Sequence, residues 1–423
     1  MSQSTAAKTD KADQNADEQP PLWNLIPLAE FKPPSSPAPE AVRSGLRDLW
    51  RRLRGGKTTN NGEENAVEMV RPSQKLLDWA APPPDWRAED VAGLSGGLKE
   101  WLQECLGGED AGAGVHTLVE PPIATVSERL ESWAAEQGYF VVTPPTPDQI
   151  LGIDGDWLDA LPLSGGQRLL LPRLERCFLR YHDGLELLRR LLDRIDQFQP
   201  PLLVICQSWA WRYLCQVEKI DALLGAPLTP APFGDAELNR WLCDSARDAS
   251  PYEFIFREGS NGARVLGTDD PESADQPKPS SFLKNLAARS RGNPRLAWEI
   301  WRGNLLASKD SAVEEGAQEA AKEDKGFTLW VRPWEQVQLP DLAGDASSLD
   351  AMVLYTLLQH GGLAQRILPQ LLPFASSEIV YALHRLRRVG VVCQERDEWK
   401  LTALGYPGVR RFLTEEGYLI DEL

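Results

Sequence analysis

Polar side chains that could bind phosphate lie in the eight-residue segment from Glu120 to Ser127, between a predicted strand and a predicted helix. A phosphate-binding loop of the pattern G-x-x-x-x-G-K-[ST] needs glycines that let backbone N–H groups surround the phosphates, a lysine that meets their charge, and a hydroxyl that binds Mg²⁺. Here Ser127 takes the hydroxyl position, Val126 takes the lysine position, and Glu120 and Thr125 take the two glycine positions. The same residues also fit an ordinary strand-to-helix connection with Ser127 as the helix N-cap, and the spacing alone leaves both interpretations open.

Two later apolar runs end in polar residues at positions where a nucleotide site would need them. The first, Leu169–Leu171, leads to Glu175, and the second, Leu202–Cys206, leads to Gln207 and Ser208. A magnesium-dependent ATPase needs an acidic side chain after such a strand to hold the metal, and the expected aspartate is missing. Glu175 is the residue left to represent that acidic position, and Gln207 or Ser208 would face the nucleotide from the next strand.

The order of the predicted elements indicates an α/β fold with a parallel sheet. Short apolar strands alternate with helices from about residue 110, and this alternation is typical of a parallel sheet with helices on both faces. The uniformly apolar run Leu202–Cys206 is typical of a central strand. The predicted strands cover residues 115–119, 139–142, 169–171, 202–206 and 254–257.

The segment Leu283–Ala297 contains the turn Gly292-Asn293-Pro294-Arg295 between two predicted helices. It resembles the helical lid of AAA+ and STAND-type P-loop ATPases, in which a similar turn opens the helix that faces the nucleotide. The resemblance implies a degenerate P-loop-like core over 110–265, a lid over 280–307 and a winged-helix domain over 327–423, with Arg295 as the sensor arginine. It also implies a vestigial nucleotide site formed by Thr125, Ser127, Glu175, Gln207 and Arg295.

The last hundred residues have the order of a winged helix, a plan that commonly follows the lid in such ATPases. The predicted elements are three helices, a wing and a closing helix, over 349–359, 364–371, 376–389, 391–401 and 406–413. The third helix carries Arg385, Arg387 and Arg388, which suits a DNA major groove. From residue 344 onward, however, eight Lys or Arg stand against ten Asp or Glu, and the wing is acidic. The sequence therefore favours docking on a protein, with DNA binding as the alternative.

We interpret residues 1–109 as a largely disordered arm, because Pro-rich stretches separate apolar clusters that are too small to form a core. The clusters lie at 21–28, 46–54 and 76–79. They fit two interpretations equally well, either as linear docking motifs for a protein partner or as segments that pack on the main body. The basic helix predicted at 46–54 could also contact an anionic membrane surface.

Composition narrows the classes of function. The formal net charge of −17 argues against a general nucleic-acid binder, which needs a basic surface. The six cysteines form no C-x-x-C pair and the four histidines have no ligand-like spacing, so we predict reduced thiols and no metal site. The first residues lack the apolar core of a signal peptide, and no apolar run reaches the roughly 18 residues of a membrane span, so we expect a cytoplasmic protein.

The combined prediction is a non-hydrolysing pseudo-ATPase that regulates or scaffolds a protein partner through its N-terminal arm and its winged helix. The resemblance implies that the partner could be membrane-associated, such as a mechanosensitive channel. This protein would then contact the membrane peripherally, through that partner. No catalytic residue is assigned, and ATP is not expected as a cofactor. Two alternatives are a DNA-binding regulator that uses the winged helix and a weak ATPase completed in trans by a partner.

Overall fold

The structure, a computed structural model, describes residues 22–35, 69–83, 114–124, 126–163, 167–197, 201–267, 280–309, 327–342, 344 and 346–423. Within these residues the strands form three sheets, which contain six, four and three strands. The strands, in chain order, are β1 (Leu25–Pro27), β2 (Met69–Val70), β3 (Val115–Glu120), β4 (Phe140–Val141), β5 (Leu169–Leu171), β6 (Leu202–Gln207), β7 (Leu228–Pro230), β8 (Phe254–Glu258), β9 (Leu305–Ser308), β10 (Phe327–Val331), β11 (Leu363–Ala364), β12 (Val392–Glu395) and β13 (Glu398–Leu401).

The α-helices of the described residues cover the large sheet, form the lid and build the C-terminal unit. In chain order they are α1 (Gln74–Ala80), α2 (Val126–Glu136), α3 (Pro147–Leu151), α4 (Gly155–Asp159), α5 (Glu186–Asp196), α6 (Ser208–Val217), α7 (Ile220–Leu224), α8 (Asp235–Ala249), α9 (Ser281–Ser290), α10 (Pro294–Gly303), α11 (Ser348–Gln359), α12 (Leu368–Leu371), α13 (Ser376–Val389) and α14 (Tyr406–Glu415). Short 3₁₀ turns cover Leu28–Glu30, Leu174–Arg176 and Trp334–Gln336, and the second of these follows β5.

The six-stranded sheet has the order β1-β7-β3-β6-β5-β4, and its strands are parallel except β1, which runs antiparallel to β7. Alternate residues of β6 face opposite sides, so Leu203 and Ile205 pack in the cluster beneath α2 while Leu202 and Val204 join the main core. Because both faces of β6 are buried over its first five residues, Leu202–Cys206, this run is uniformly apolar. The predicted α/β fold with a parallel sheet is confirmed.

The prediction that residues 254–257 add a fifth strand to this sheet is wrong. That segment is β8, which pairs in parallel with β10 in the separate four-stranded sheet β2-β9-β10-β8. The fifth parallel strand is β7, which pairs with β3. β7 carries no clear strand signal in the sequence because it is three residues long and is bordered by Pro227 and Pro232.

The lid consists of α9 and α10, separated by a tight turn. Ser280 caps α9 by accepting the Leu283 N–H at 3.3 Å, and Asn293 caps α10 by accepting the N–H groups of Arg295 and Leu296. Gly292 has a φ of +77°, and a Cβ there would lie 2.3 Å from Cβ of Pro232. Only glycine therefore fits at the point where the lid turn meets the loop after β7.

The C-terminal elements follow the order α11, β11, α12, α13, β12, β13 and α14, and the strands form the sheet β11-β13-β12. This order is that of a winged helix. The helix predicted over 364–371 is shortened to α12, because Leu363–Ala364 pairs with β13 as β11. β10, which the predicted boundary at 327 placed in this unit, pairs instead with β8 and β9.

Two of the three N-terminal apolar clusters pack on the body, so the prediction of a disordered arm does not hold for residues 22–35 and 69–83. β1 extends the large sheet, and the ring of Trp23 lies 4.7 Å from that of Phe233. Leu76 and Leu77 of α1 are buried in the main core. The cluster at 46–54 lies outside the described residues.

Candidate functional site

The carboxyl ends of β3, β5 and β6 lie side by side in the large sheet and bring three polar side chains together. The register pairs Glu120, the last residue of β3, with Gln207, the last residue of β6. Glu175 lies in the 3₁₀ turn that follows β5, the neighbour of β6. In open α/β sheets, ligands bind outside the carboxyl ends of the strands, where the strand order reverses. This edge, between β3 and β6, is therefore the candidate site.

Each glutamate of the site accepts a hydrogen bond from a backbone N–H. Glu120 Oε2 accepts the N–H of Ser127 at 3.1 Å, and Glu175 Oε2 accepts the N–H of Gln207 at 3.2 Å. Since α2 begins at Val126, Ser127 is its second residue rather than its N-cap. The first N–H groups of a helix are where an external anion would bind, so Glu120 acts as an internal anion at this position.

Burial makes the two carboxyl groups unusually basic. Glu120 is 2% exposed and Glu175 is 3% exposed. Burial raises the pKa of Glu120 to about 7, with a further contribution from the charge of Glu175. Burial also raises the pKa of Glu175 above its usual range. Neither acid supplies the positive charge that an ATPase needs at this position, and Glu120 adds negative charge when it ionises, so the edge disfavours a polyphosphate.

A turn of the winged helix covers this edge of the sheet. Arg176 Nη2 donates to the carbonyl oxygen of Gly361 at 3.0 Å, and a Cβ at Gly361 would lie 3.0 Å from Nε2 of Gln207. Gly361 has a φ of +60°, a conformation that favours glycine. The turn His360–Gly362 therefore occupies the space over Gln207 and Glu175 in which a ligand would lie.

His360 anchors that turn as a buried neutral imidazole. Its Nε2 accepts the N–H of Arg180 at 3.4 Å, so its Nδ1, which lies 3.4 Å from the carbonyl oxygen of Glu175, carries the proton. Burial lowers the pKa of His360 to about 3, which keeps the ring uncharged at neutral pH. The imidazole thus connects the end of α11 to the backbone beside Glu175.

An ion pair fixes the wing to the same region. Arg176 donates from both terminal nitrogens to the two carboxylate oxygens of Glu398, at 2.8 and 3.0 Å. Burial acts to raise the pKa of Glu398, but the hydrogen bonds and charge of Arg176 hold it below its usual range. A bidentate pair of this kind defines the orientation of both groups. The wing is therefore bound to the sheet through β13.

The structure brings three of the five predicted site residues together, namely Ser127, Glu175 and Gln207. Thr125 lies outside the described residues. Arg295 makes its contacts on its own helix, with Glu299 at 3.1 Å and with the ring of Trp298 at 5.4 Å.

The lid reaches the site through Asn293, whose Nδ2 donates to the carbonyl oxygen of Pro122 at 3.0 Å. Asn293 belongs to the lid turn recognised in the sequence, but its contact with the loop after β3 could not be read there. His360 and Arg176 carried no sequence assignment, because their contacts join segments far apart in the chain. The glycine pair that follows His360 is the one local signal of a special turn there.

Comparisons with known proteins return structural matches alone, since no family model and no curated protein matches the chain by sequence. The chain is similar to a variant of Thermotoga maritima RuvB at 14% identity and a TM-score of 0.30, covering 78% of this chain and 95% of that one. It is similar to the Aeropyrum pernix ORC2 protein at 14% identity and a TM-score of 0.36, covering 81% and 98%. It is also similar to Pyrobaculum aerophilum Cdc6p at 13% identity and a TM-score of 0.32, covering 82% of this chain and 100% of that one.

The described residues also bear on other kinds of site. They contain no group of three or more His, Cys, Asp or Glu placed to hold a metal ion. No helix among them is long and apolar enough to cross a membrane.

Replacing Glu120 with glutamine should stabilise the protein at alkaline pH. The folded-state pKa of about 7 lies above the ordinary value of 4.5, so the folded protein binds more protons than the unfolded chain between these values, and stability falls as pH rises through them. Glutamine cannot ionise, and its carbonyl oxygen can still accept the Ser127 N–H. We expect Glu120→Gln to match the wild type near pH 4 and to exceed it at pH 8 by on the order of 2 kcal/mol.

Urea unfolding measured at several pH values checks this prediction. Glu136→Gln, an exposed substitution at the other end of α2, is the matched control and should follow the wild type throughout. If Glu120→Gln also follows the wild type from pH 4 to 8, the buried-acid description of the site is wrong.

Proposed function

We propose that this protein is a non-hydrolysing pseudo-ATPase of AAA+ descent that works as a regulatory or scaffolding subunit for a protein partner. The observation that carries the proposal is the position of Glu120, whose carboxyl group accepts the N–H of Ser127 in the first turn of α2. In a phosphate-binding loop the N–H groups at the start of this helix bind the nucleotide. An internal carboxyl group takes the hydrogen bond of one of them and, when ionised, repels phosphate. The parallel sheet, the two-helix lid and the winged helix, in this chain order, support the AAA+ descent.

The missing groups support the absence of hydrolysis. Val126 stands where a lysine would meet the β- and γ-phosphates, and β5 leads to no aspartate that could hold Mg²⁺. A weak ATPase completed in trans fits less well, because a partner would have to supply both groups and also displace the turn His360–Gly362. Each lost electrostatic contact removes about 3–4 kcal/mol of transition-state stabilisation.

Contacts of the winged helix support a protein partner over DNA. Arg385, one of three arginines that suited a DNA groove, forms an ion pair with the buried Asp350. Glu398 of the wing is bound to Arg176, so the wing is held against the sheet. On α13, Tyr381 is 65% exposed, and exposed aromatic side chains beside arginine are typical of protein interfaces. A membrane-associated partner such as a mechanosensitive channel stays a prediction from the resemblance.

A phosphate-release assay tests the catalytic half of the proposal. We expect purified protein with Mg²⁺ and saturating ATP to release no phosphate above the protein-free rate, because neither the γ-phosphate nor the metal has a charge partner. Glu175→Gln is the matched control, and it should give the same background rate. Mg²⁺-dependent turnover that Glu175→Gln abolishes would show an active site and would overturn the proposal.

A further inference from the structure

A cleft outside the candidate site lies between the second half of α8 and the edge strand β8. Its volume is about 400 Å³, which is within the usual range of ligand sites, about 300–1,000 Å³. Its walls include Cys243, Ala246, Tyr252, Phe254, Phe256 and Leu266. β8 ends the strand order β2-β9-β10-β8, so its far side has no neighbouring strand among the described residues.

The register of β8 shows which of its main-chain groups point away from β10. The N–H of Phe327 in β10 donates to the carbonyl oxygen of Glu253 at 2.8 Å. The hydrogen bonds of a parallel ladder recur at every second residue, so Ile255 also bonds to β10. Phe254 and Phe256 therefore direct their N–H and carbonyl groups to the outer side of the sheet.

This outer side is only partly paired. The carbonyl oxygen of Phe256 accepts the N–H of Val265 at 2.8 Å. Beyond this point the chain leaves β8, because the N–H of Gly267 donates to the side chain of Asn239 on α8 at 2.9 Å. No described residue forms a hydrogen bond with the N–H or the carbonyl oxygen of Phe254, or with the N–H of Phe256.

The cleft lies on this outer side of β8, since Leu266, which directly follows Val265, is part of its wall. Phe254 is 9% exposed and Phe256 is 3% exposed. Folded proteins rarely leave main-chain groups of such residues without a partner. The three free groups are therefore hydrogen-bonding positions that a ligand in the cleft can fill.

We propose that this cleft binds an extended segment of a protein partner, which adds a strand to the four-stranded sheet beside β8. The free groups follow the order N–H, C=O and N–H, and their partial charges are complementary to one extended main chain. Side chains of the segment would then contact Cys243 and Ala246 of α8. This inference rests on the proposed role as a subunit that binds a protein, and it defines the form of the bound segment.

Amide exchange followed by NMR on the full chain tests the proposal at single residues. Without ligand, the N–H groups of Phe254 and Phe256 should exchange at least about tenfold faster than those of Ile255 and Arg257, which face β10. If all four N–H groups exchange equally slowly, another part of the chain already pairs with this edge, and the proposal is wrong.

The probe is the peptide acetyl-Thr-Val-Thr-Val-Thr-amide, whose residues favour an extended strand. With a dissociation constant of about 1 mM, 10 mM peptide should slow exchange at Phe254 and Phe256 about tenfold. The same peptide N-methylated at every residue is the control ligand, because it has no main-chain donors, and it should give no protection.

Ala246→Leu extends a side chain into the cleft and should weaken binding about tenfold. Ala246 is buried, so Cys243→Leu, at a half-buried position of the same wall, is the second variant. Ala222→Leu, at an exposed position on α7, is the matched control and should bind like the wild type.

The assignment would be overturned if the peptide protects neither Phe254 nor Phe256, if the methylated peptide protects them equally, or if both cleft variants bind like the wild type. These outcomes do not depend on ATP turnover, which the phosphate-release assay measures separately.

Discussion

Replacing Asp350 with alanine should destabilise the protein by about 3 kcal/mol, because the carboxylate is fully buried and has two roles. It forms an ion pair with Arg385 of α13, and it accepts hydrogen bonds from the N–H and the hydroxyl of Ser347, at 2.7 and 2.6 Å. The second role closes a capping box at the start of α11. Alanine removes both and leaves Arg385 without its counter-charge.

Urea unfolding followed by circular dichroism measures the loss. Asp148→Ala is the matched control, because Asp148 also forms an ion pair with an arginine, Arg366, but lies at the surface. Exposed pairs contribute little, so this control should leave the unfolding midpoint unchanged. If Asp350→Ala and Asp148→Ala have equal midpoints, Asp350 does not hold α11 and α13 together.

The Asp350→Ala variant also frees Arg385 from its ion pair. DNA binding that appears in Asp350→Ala but not in the wild type would show that this ion pair, and not the acidic wing, suppresses DNA binding.

Replacing Leu77 with alanine should cost about 2–5 kcal/mol, the usual range for a buried leucine. Leu77 is 1% exposed in the main core, although it belongs to the N-terminal region whose composition predicted a disordered arm. Its carbonyl oxygen accepts a hydrogen bond from Arg302 of α10 at 2.7 Å, and Asp78 forms an ion pair with the same arginine. α1 is thus joined to the lid as well as to the core.

The control for this substitution is Val217→Ala, which shortens a side chain that is 43% exposed and should cost well under 1 kcal/mol. Thermal or urea unfolding of both variants gives the comparison. An unfolding midpoint for Leu77→Ala equal to that of the wild type would restore the interpretation of α1 as a detachable docking motif.

The α/β fold could be predicted because each strand of the large sheet except β7 and the edge strand β1 carries a local signal. Leu202–Cys206 is apolar at every position since both of its faces are buried, and the predicted segment lies within β6. β8 also begins with an apolar run, Phe254–Phe256, but it pairs with β10, and this pairing depends on tertiary contacts that the local sequence does not encode. The packing of α1 could not be predicted for the same reason. The sequence of a short apolar cluster does not show whether the cluster packs on the rest of its own chain or on another protein.

The candidate site could be predicted only where strand order fixes it. Ser127, Glu175 and Gln207 meet because the carboxyl ends of parallel strands share one edge of the sheet. The covering turn could not be predicted, because His360 reaches Glu175 from a different folding unit. Arg295 has the sequence position of a sensor arginine in the lid turn, but its contacts are with Glu299 and Trp298 on its own helix. Its position in the turn therefore did not predict its contacts.

Hydrogen–deuterium exchange with and without Mg²⁺-ATP tests whether the strand-end site can bind a nucleotide, because it reports where on the chain a nucleotide acts. At about 1 mM ATP, we predict unchanged exchange in peptides that cover 115–130, 202–210 and 357–364, since Glu120 already occupies the helix N-terminus and the turn of His360 covers the strand ends. Protection of 115–130 together with 202–210, accompanied by faster exchange in 357–364 as the turn is displaced, would contradict the claim and show a functional nucleotide site.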